Sequence, residues 1–209
     1  AQRAQAYSKE CFRYKISNPG ERRARRTGGA QVEAPRVGAM TTDGYPQGPV
    51  AVIGTTTWGT TLALIMARRG IEVRLLARSA DEAAALESAR EHPRLAGMAF
   101  PDSLTVTEDW ANSLDDAAAV LFVVPSHTLR ENARRARSYL GRGPMVICAT
   151  KGIEQGSGKR MSEVLAEEIP QSKERLAVLS GPNLAGEVVR DLPTSTVIAA
   201  VDDAVARQA

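Results

Sequence analysis

The run Val50-Ala51-Val52-Ile53-Gly54-Thr55-Thr56-Thr57-Trp58-Gly59-Thr60-Thr61-Leu62-Ala63 constrains the fold more than any other stretch of the chain. Four apolar residues read as a short buried strand, Gly-Thr-Thr-Thr as a tight turn, and the residues from Thr57 onward as the first turn of an amphipathic helix. This is the layout of a dinucleotide-binding βαβ unit. Its helix N-terminus offers unsatisfied N–H groups and the positive end of a dipole to a pyrophosphate. The usual spacing is Gly-x-Gly-x-x-Gly, and Thr56 holds the middle position here. Gly54 permits the sharp turn, and Gly59 lets the helix pack closely on the sheet. A Cβ at Thr56 is expected to push the phosphates outward or shift the loop. The hydroxyls of Thr55, Thr56 and Thr57 are expected to offset this by hydrogen bonding to phosphate oxygens. An ordinary strand–turn–helix reads the same way at this one corner, so the rest of the chain has to decide.

From Val50 onward the pattern alternates in α/β fashion. A helix over about 57–69 puts Trp58, Leu62, Ile65 and Met66 on one apolar face, and Arg68, Arg69 and Gly70 supply a cationic last turn and a stop. Residues 71–77 read as a second strand, after which Ser79 caps an Ala/Glu-rich helix running to about Arg90. A loop over 92–101 leads to a short strand at 104–107 and a short helix at 108–114. The unbroken apolar run 118–124 suits a central parallel strand covered on both faces. Ser126 is placed to cap the helix after it, and 145–149, 177–179 and 195–200 read as further strands. Right-handed crossovers then predict a Rossmann-like, doubly wound, mostly parallel sheet with ligands above the C-terminal ends of its strands.

Composition narrows the class. Hydrophobic residues make up 43% of the 209 and aromatics 4%, enough for a core of aliphatic α/β type. No run of about 18 apolar residues occurs, so no membrane span is expected. Cys11 and Cys148 have neither metal-ligand nor disulfide spacing, His92 and His127 lie too far apart in sequence to suggest a site, and no metal is expected. A reducing, cytoplasmic setting is the simplest reading. The net charge of +3 conceals an asymmetry, because residues 1–49 carry nine Lys/Arg against four Asp/Glu. That leader, rich in Gly, Pro, Arg and Gln, lacks any sustained period and is expected to be disordered. A nucleic-acid or membrane-surface arm and a transit peptide are weaker readings of it than an over-extended reading frame with the true start near Met40. No nucleic-acid partner is expected.

Five loops fall where the doubly wound plan puts a ligand. Gly54–Gly59, Ala77-Arg78-Ser79, Val124-Pro125-Ser126, Ala149-Thr150-Lys151-Gly152 and Leu179-Ser180-Gly181-Pro182-Asn183 each follow a strand. At the end of the second strand, Arg78 stands where a ribose-binding acid is usual in NAD-specific enzymes. An arginine there can fork onto a 2′-phosphate, which predicts tolerance of or preference for NADPH; a solvated strand-end arginine is the plainer alternative. Lys151, between a buried strand and Gly152, is placed to polarise a ketone or hold a phosphorylated substrate, or else is a surface lysine beside a helix. Gly181-Pro182 reads as a turn freeing an N–H for an anion, or simply as a loop. Ser126 reads as a helix cap, His127 as a capping-turn residue with a place near the nicotinamide as its alternative, and Cys148 as core.

The Trp58-Gly59-Thr60 helix start, Pro125-Ser126, Thr150-Lys151-Gly152-Ile153-Glu154 with Gly156 and Gly158, and Leu179-Ser180-Gly181-Pro182 carry a resemblance, to which Pro193-Thr194 adds. Over about residues 50–209 the chain resembles the bacterial NAD(P)-dependent glycerol-3-phosphate dehydrogenase family. The resemblance implies hydride transfer between NAD(P)H and dihydroxyacetone phosphate to give sn-glycerol 3-phosphate for phospholipid synthesis. It also implies a cofactor domain here, a helical substrate domain beyond it, and a homodimer when full length. Carried over, Gly54, Thr56, Thr57, Trp58, Gly59, Arg78, Pro125, Lys151 and Ala185 become cofactor contacts, with NADP(H) or NAD(H) as cofactor. Lys151, Gly181 and Asn183 become substrate contacts; the family more commonly has Ser or Thr where Asn183 stands. The family's general acid/base lysine and its phosphate-gripping Arg-Asn belong to the helical domain, so this chain is expected to be an incomplete enzyme, inactive alone. A related β-hydroxyacid dehydrogenase domain and a non-catalytic nucleotide-binding module are the rival readings.

Overall fold

The structure is a computed structural model that describes residues 48–141 and 143–209, together with the backbone of Tyr14–Lys15. The leader otherwise lies outside the described residues, and with it the expectations of disorder and of a start near Met40. In chain order the elements are β1 (Tyr14–Lys15), β2 (Val50–Ile53), α1 (Thr57–Ala67), β3 (Val73–Leu76), α2 (Ala80–Ala89), β4 (Leu104–Thr107), α3 (Trp110–Leu114) and β5 (Ala119–Phe122). After them come α4 (Leu129–Arg137), β6 (Met145–Cys148), α5 (Met161–Glu168), β7 (Leu176–Ser180), α6 (Ala185–Val188), β8 (Ser195–Ala200) and α7 (Asp203–Gln208).

The sheet order is β1-β8-β7-β6-β5-β2-β3-β4. Every pair from β4 across to β7 is parallel, with Val50 of β2 opposite Val73 on one side and Ala119 on the other. β8 returns antiparallel to β7, with Ala177 opposite Ala200, and β1 pairs antiparallel at the edge beyond it. This is the doubly wound arrangement expected from the alternating pattern. The chain reverses its direction of winding between β2 and β5, and a crevice opens there above the strand ends.

All four residues of β2, of β5 and of β6 are buried because the sheet is covered on both sides. Val50 and Val52 face one core with Leu64, Ala67, Ala83 and Leu86, while Ala51 and Ile53 face the other with Trp110, Leu129, Ala133 and Val164. Cys148 is buried in the second core, where desolvation pushes its thiol up to about 11, so it serves as an inert small apolar group. No helix among the described residues is long and apolar enough to cross a membrane.

Three local expectations need correction. The face of α1 that meets the sheet is Thr60, Ala63, Leu64 and Ala67, whereas Trp58, Leu62, Ile65 and Met66 are only half-buried. The cause lies at the helix start, where Gly59 is in backbone contact with Gly54 and small residues keep the helix close to the sheet. Arg68 caps the C-terminus of α1 instead of extending its last turn, and its Nη1 donates to the Val189 carbonyl at 2.7 Å. Ser126 caps no helix. It opens a 3₁₀ turn, Ser126–Thr128, that delays α4 to Leu129.

Replacing Gly59 with alanine is expected to cost about 1–3 kcal/mol of stability, as in other over-packed positions. A Cβ there would lie 2.1 Å from the Gly54 carbonyl oxygen, and backbone on both sides leaves nothing soft to yield. A lower urea midpoint with an unchanged m-value is the expected result; a midpoint equal to that of the parent would show that the corner can relax.

Candidate cofactor and substrate site

The glycine corner is built from backbone. Gly54 has φ of 115°, and a Cβ on it would meet the Val123 carbonyl oxygen at 2.7 Å. Thr56 is extended (φ −61°, ψ 158°) and is the N-cap of α1: its Oγ1 accepts from Gly59 N at 3.0 Å and donates to the Val123 carbonyl at 2.9 Å. A residue with a side chain is therefore accommodated at the middle position without strain, and its hydroxyl is committed to the protein. Thr55 is committed as well, donating to Glu82 Oε1 at 2.9 Å. The offset expected from these hydroxyls therefore falls to that of Thr57, which lines the cleft, and to backbone groups. The N–H of Thr60 is satisfied by the Thr56 carbonyl, but those of Thr57 and Trp58 meet no protein acceptor among the described residues.

A cleft of about 760 Å³ opens in front of this corner. Gly54, Thr56, Thr57, Arg78 and Pro125 line it, so five of the expected cofactor residues share one cleft. Arg78 is largely in solvent (87% side-chain exposure), with Nε 3.2 Å from Glu82 Oε2. His127, which follows the strand that ends at Pro125, lines it too, and sequence spacing gave no hint of others there, among them His92, Arg94, Trp110 and Arg135. Both histidines thus reach one site from loops 35 positions apart, because parallel strands bring distant loops to a common rim. The Arg135 guanidinium lies over the Trp110 ring at 4.5 Å, fixing an indole and a cation side by side.

Lys151, Gly181, Asn183 and Ala185 do not line that cleft; they gather on the other flank of α1. Lys151 Nζ donates to the Gly181 carbonyl at 3.1 Å, stands 3.5 Å from that of Asn183, and lies 5.7 Å from the centre of the Trp58 ring. Thr61 Oγ1 donates to the Ala185 carbonyl at 3.3 Å, tying α1 to α6. Trp58 and the start of α1 therefore separate two groups of expected residues. The Asn183 amide nitrogen is spent structurally, since Nδ2 holds the Ser195 carbonyl at 3.0 Å and Thr196 Oγ1 at 2.8 Å, while the buried Oδ1 meets no donor among the described residues. A Cβ on Gly181 would fall 2.5 Å from the Ser195 carbonyl oxygen, so the loop after β7 packs directly on β8.

The loop that carries Lys151 is anchored from below. Arg130 of α4 grips Glu154 with two contacts, Nε to Oε1 at 2.6 Å and Nη2 to Oε2 at 2.8 Å, and also reaches Glu167 and Glu168 of α5. Ser157 Oγ donates to the same Glu154 carboxylate at 2.5 Å. The Arg130 guanidinium and this hydroxyl together hold the Glu154 carboxyl at about 2.

Comparison with known proteins gives this geometry a family. The model of the NAD-dependent glycerol-3-phosphate dehydrogenase N-terminus matches residues 49–206. The chain belongs to that family. It is 44% identical over 163 residues to a glycerol-3-phosphate dehydrogenase [NAD(P)+] of Dehalococcoides mccartyi, covering 77% of this chain and 45% of the relative. With that of Bradyrhizobium sp. (strain ORS 278) it shares 46% over 158 residues, covering 75% of this chain and 47% of the relative. The crystal structure of glycerol-3-phosphate dehydrogenase from Coxiella burnetii superposes with a TM-score of 0.66 at 36% identity, over 70% of this chain and 45% of that one. The chain therefore spans about half the length of the glycerol-3-phosphate dehydrogenases it matches.

Because the folded Glu154 carboxyl lies at about 2 rather than the ordinary 4.5, its pairing contributes stability that is fully present above 4.5 and lost as the pH falls toward 2. The stability difference between the parent and Glu154→Gln is expected to shrink across that interval in urea titrations. A difference that stays constant would remove Arg130 and Ser157 as its cause.

Proposed function

We propose that this chain is the nucleotide-binding part of an NAD(P)-dependent glycerol-3-phosphate dehydrogenase, working on dihydroxyacetone phosphate and sn-glycerol 3-phosphate in the cytoplasm. The observation that carries the reading is the start of α1. Thr57 and Trp58 present N–H groups that meet no acceptor among the described residues, at the crevice between β2 and β5. These donors, with Gly54 and Gly59 holding turn and helix together, fit a dinucleotide pyrophosphate. When bound, the cofactor supplies the hydride.

Each residue of the chain then has a task. Gly54, Gly59 and Pro125 shape the turn and the facing wall, while Thr56 keeps the helix capped so that its first N–H groups point outward. Arg78, beyond the end of β3, suits the ribose end and can fork onto a 2′-phosphate. Lys151 carries the cation on the Trp58 flank, and the Gly181 and Asn183 carbonyls that hold its ammonium fix where that charge stands. A fixed ammonium suits the carbonyl oxygen or phosphate of a small phosphorylated ketone. Ala185 closes the same flank through its bond to Thr61.

Titrating NADPH and NADH into the chain while following Trp58 and Trp110 fluorescence tests the reading. Saturable quenching is expected with both. In Arg78→Asp, NADPH affinity is expected to fall about tenfold or more, the cost of a lost charge-assisted bond, with NADH much less affected. Equal loss for both would take the 2′-phosphate away from Arg78, and a folded chain that binds neither would overturn the cofactor assignment.

A further inference from the structure

Between α2 and β4 the chain reaches back to the glycine corner through His92. This residue is 9% exposed and lines the cleft. Its Nε2 stands 3.1 Å from the Thr55 carbonyl oxygen, and the backbone N–H of Arg94 donates to its Nδ1 at 3.1 Å. Because an N–H already points at Nδ1, that nitrogen is the acceptor, and the ring proton sits on Nε2 and is given to Thr55. The Thr55 hydroxyl is held from another side by Glu82. The residue that precedes the N-cap is thus gripped through its carbonyl and its side chain together.

A trans peptide is planar, with its C=O and N–H on opposite sides. The Thr55 carbonyl and the Thr56 N–H belong to one such plane. Drawing the carbonyl to His92 therefore turns the Thr56 N–H the other way, and no protein acceptor meets it among the described residues. Thr56 occupies the position at which a glycine-loop backbone comes nearest the pyrophosphate. Resting on the cofactor reading above, we propose that His92 is a positioning residue: it sets the Thr55–Thr56 peptide plane and so aims the Thr56 N–H at the pyrophosphate.

The grip depends on a neutral ring. Burial and then Arg94 push the His92 imidazole below its ordinary value, while the Thr55 carbonyl and the Glu82 carboxylate of α2 act against them. Protonation places a second N–H on Nδ1, against that of Arg94, and opens the clasp. Acidification therefore misaligns the Thr56 N–H even though it adds positive charge beside the cleft.

Two readouts on the 209-residue chain test this between about pH 8 and 5, the range in which a histidine titrates. In the free protein, the Thr56 amide resonance is expected to move with the titration of the His92 ring. NADH, which lacks a 2′-phosphate titrating in this range, is expected to bind about fivefold more weakly at the acid end, the loss of one hydrogen bond. His92→Gln keeps an N–H donor for Thr55 but cannot titrate, so it should match the parent at high pH and lose the step. His127→Asn, which removes the other histidine of the cleft, should keep the step. A Thr56 amide that ignores the His92 titration, a step that survives in His92→Gln, or tighter NADH binding in acid would each overturn the proposal. An amide that follows the ring in a chain that binds no NADH at any pH would uphold the role of His92 and overturn the cofactor reading alone.

Discussion

A Cβ on Gly59 would stand 2.1 Å from the carbonyl oxygen of Gly54, so α1 begins in backbone contact with the turn that leaves β2. Much else follows from that approach. It sets the start of α1 over the crevice between β2 and β5, where helix-end donors can act together. It also fixes the rotation of α1, which turns Ala63, Leu64 and Ala67 onto the sheet and leaves Trp58 on the flank near Lys151. The loop after β5 is joined to the same corner, because the Val123 carbonyl receives the Thr56 hydroxyl and lies where a Cβ of Gly54 would go. The loop after β6 is joined in turn, since Thr150 Oγ1 bonds both the Phe122 carbonyl and the Val124 N–H. Three strand ends are thus locked to one another by threonine hydroxyls bonded to backbone groups.

The parts of this design that depend on burial were legible in the sequence. Runs such as 119–122 and 145–148 are apolar at every position because both faces of the sheet are covered, and a run of that kind admits few other readings. Ser79 was legible as a cap, and its Oγ accepts from Glu82 N. The helix face of α1 was not. Periodicity ranks residues by hydrophobicity, whereas the sheet selected small residues that allow close approach. Nor could periodicity show that β8 runs antiparallel, since a strand carries no mark of its direction. In the site, the loops after strands were visible because topology alone puts them on one rim. His92, Arg94 and Arg135 were not, because each is brought there by the path of a loop or the rotation of a helix rather than by spacing.

Charge is distributed so that the two flanks of α1 behave differently. Below the Lys151 loop, Arg130 faces three glutamates, two of which also pair with Arg134 and Lys159, so three cations meet three carboxylates. That arrangement locks the loop through interactions with fixed geometry and leaves Lys151, among the described residues, to carbonyl oxygens and the Trp58 ring, whose partial charges do not neutralise an ammonium. Around the cleft cations are in excess, with Arg78, Arg94 and Arg135 set against Glu82 and Glu131. An anionic ligand is favoured on both flanks, through a single held cation on one and an open group of arginines on the other.

Thr56 shows what the departure from a three-glycine loop costs and what it supplies. A glycine at the middle position leaves the backbone free to approach a phosphate, but it offers no group to cap the helix or to join the loop after β5. Threonine does both with one hydroxyl, at an extended backbone angle that any residue can adopt. The hydroxyl is then unavailable to a ligand, and the neighbouring Thr55 hydroxyl is likewise taken by Glu82. Anion binding at this corner is therefore left to the Thr57 hydroxyl and to N–H groups whose direction is set by the peptide planes. A loop of this kind depends on whatever orients those planes more than a glycine loop does. Here that control comes from outside the loop, through Glu82 of α2 and His92 of the segment beyond it.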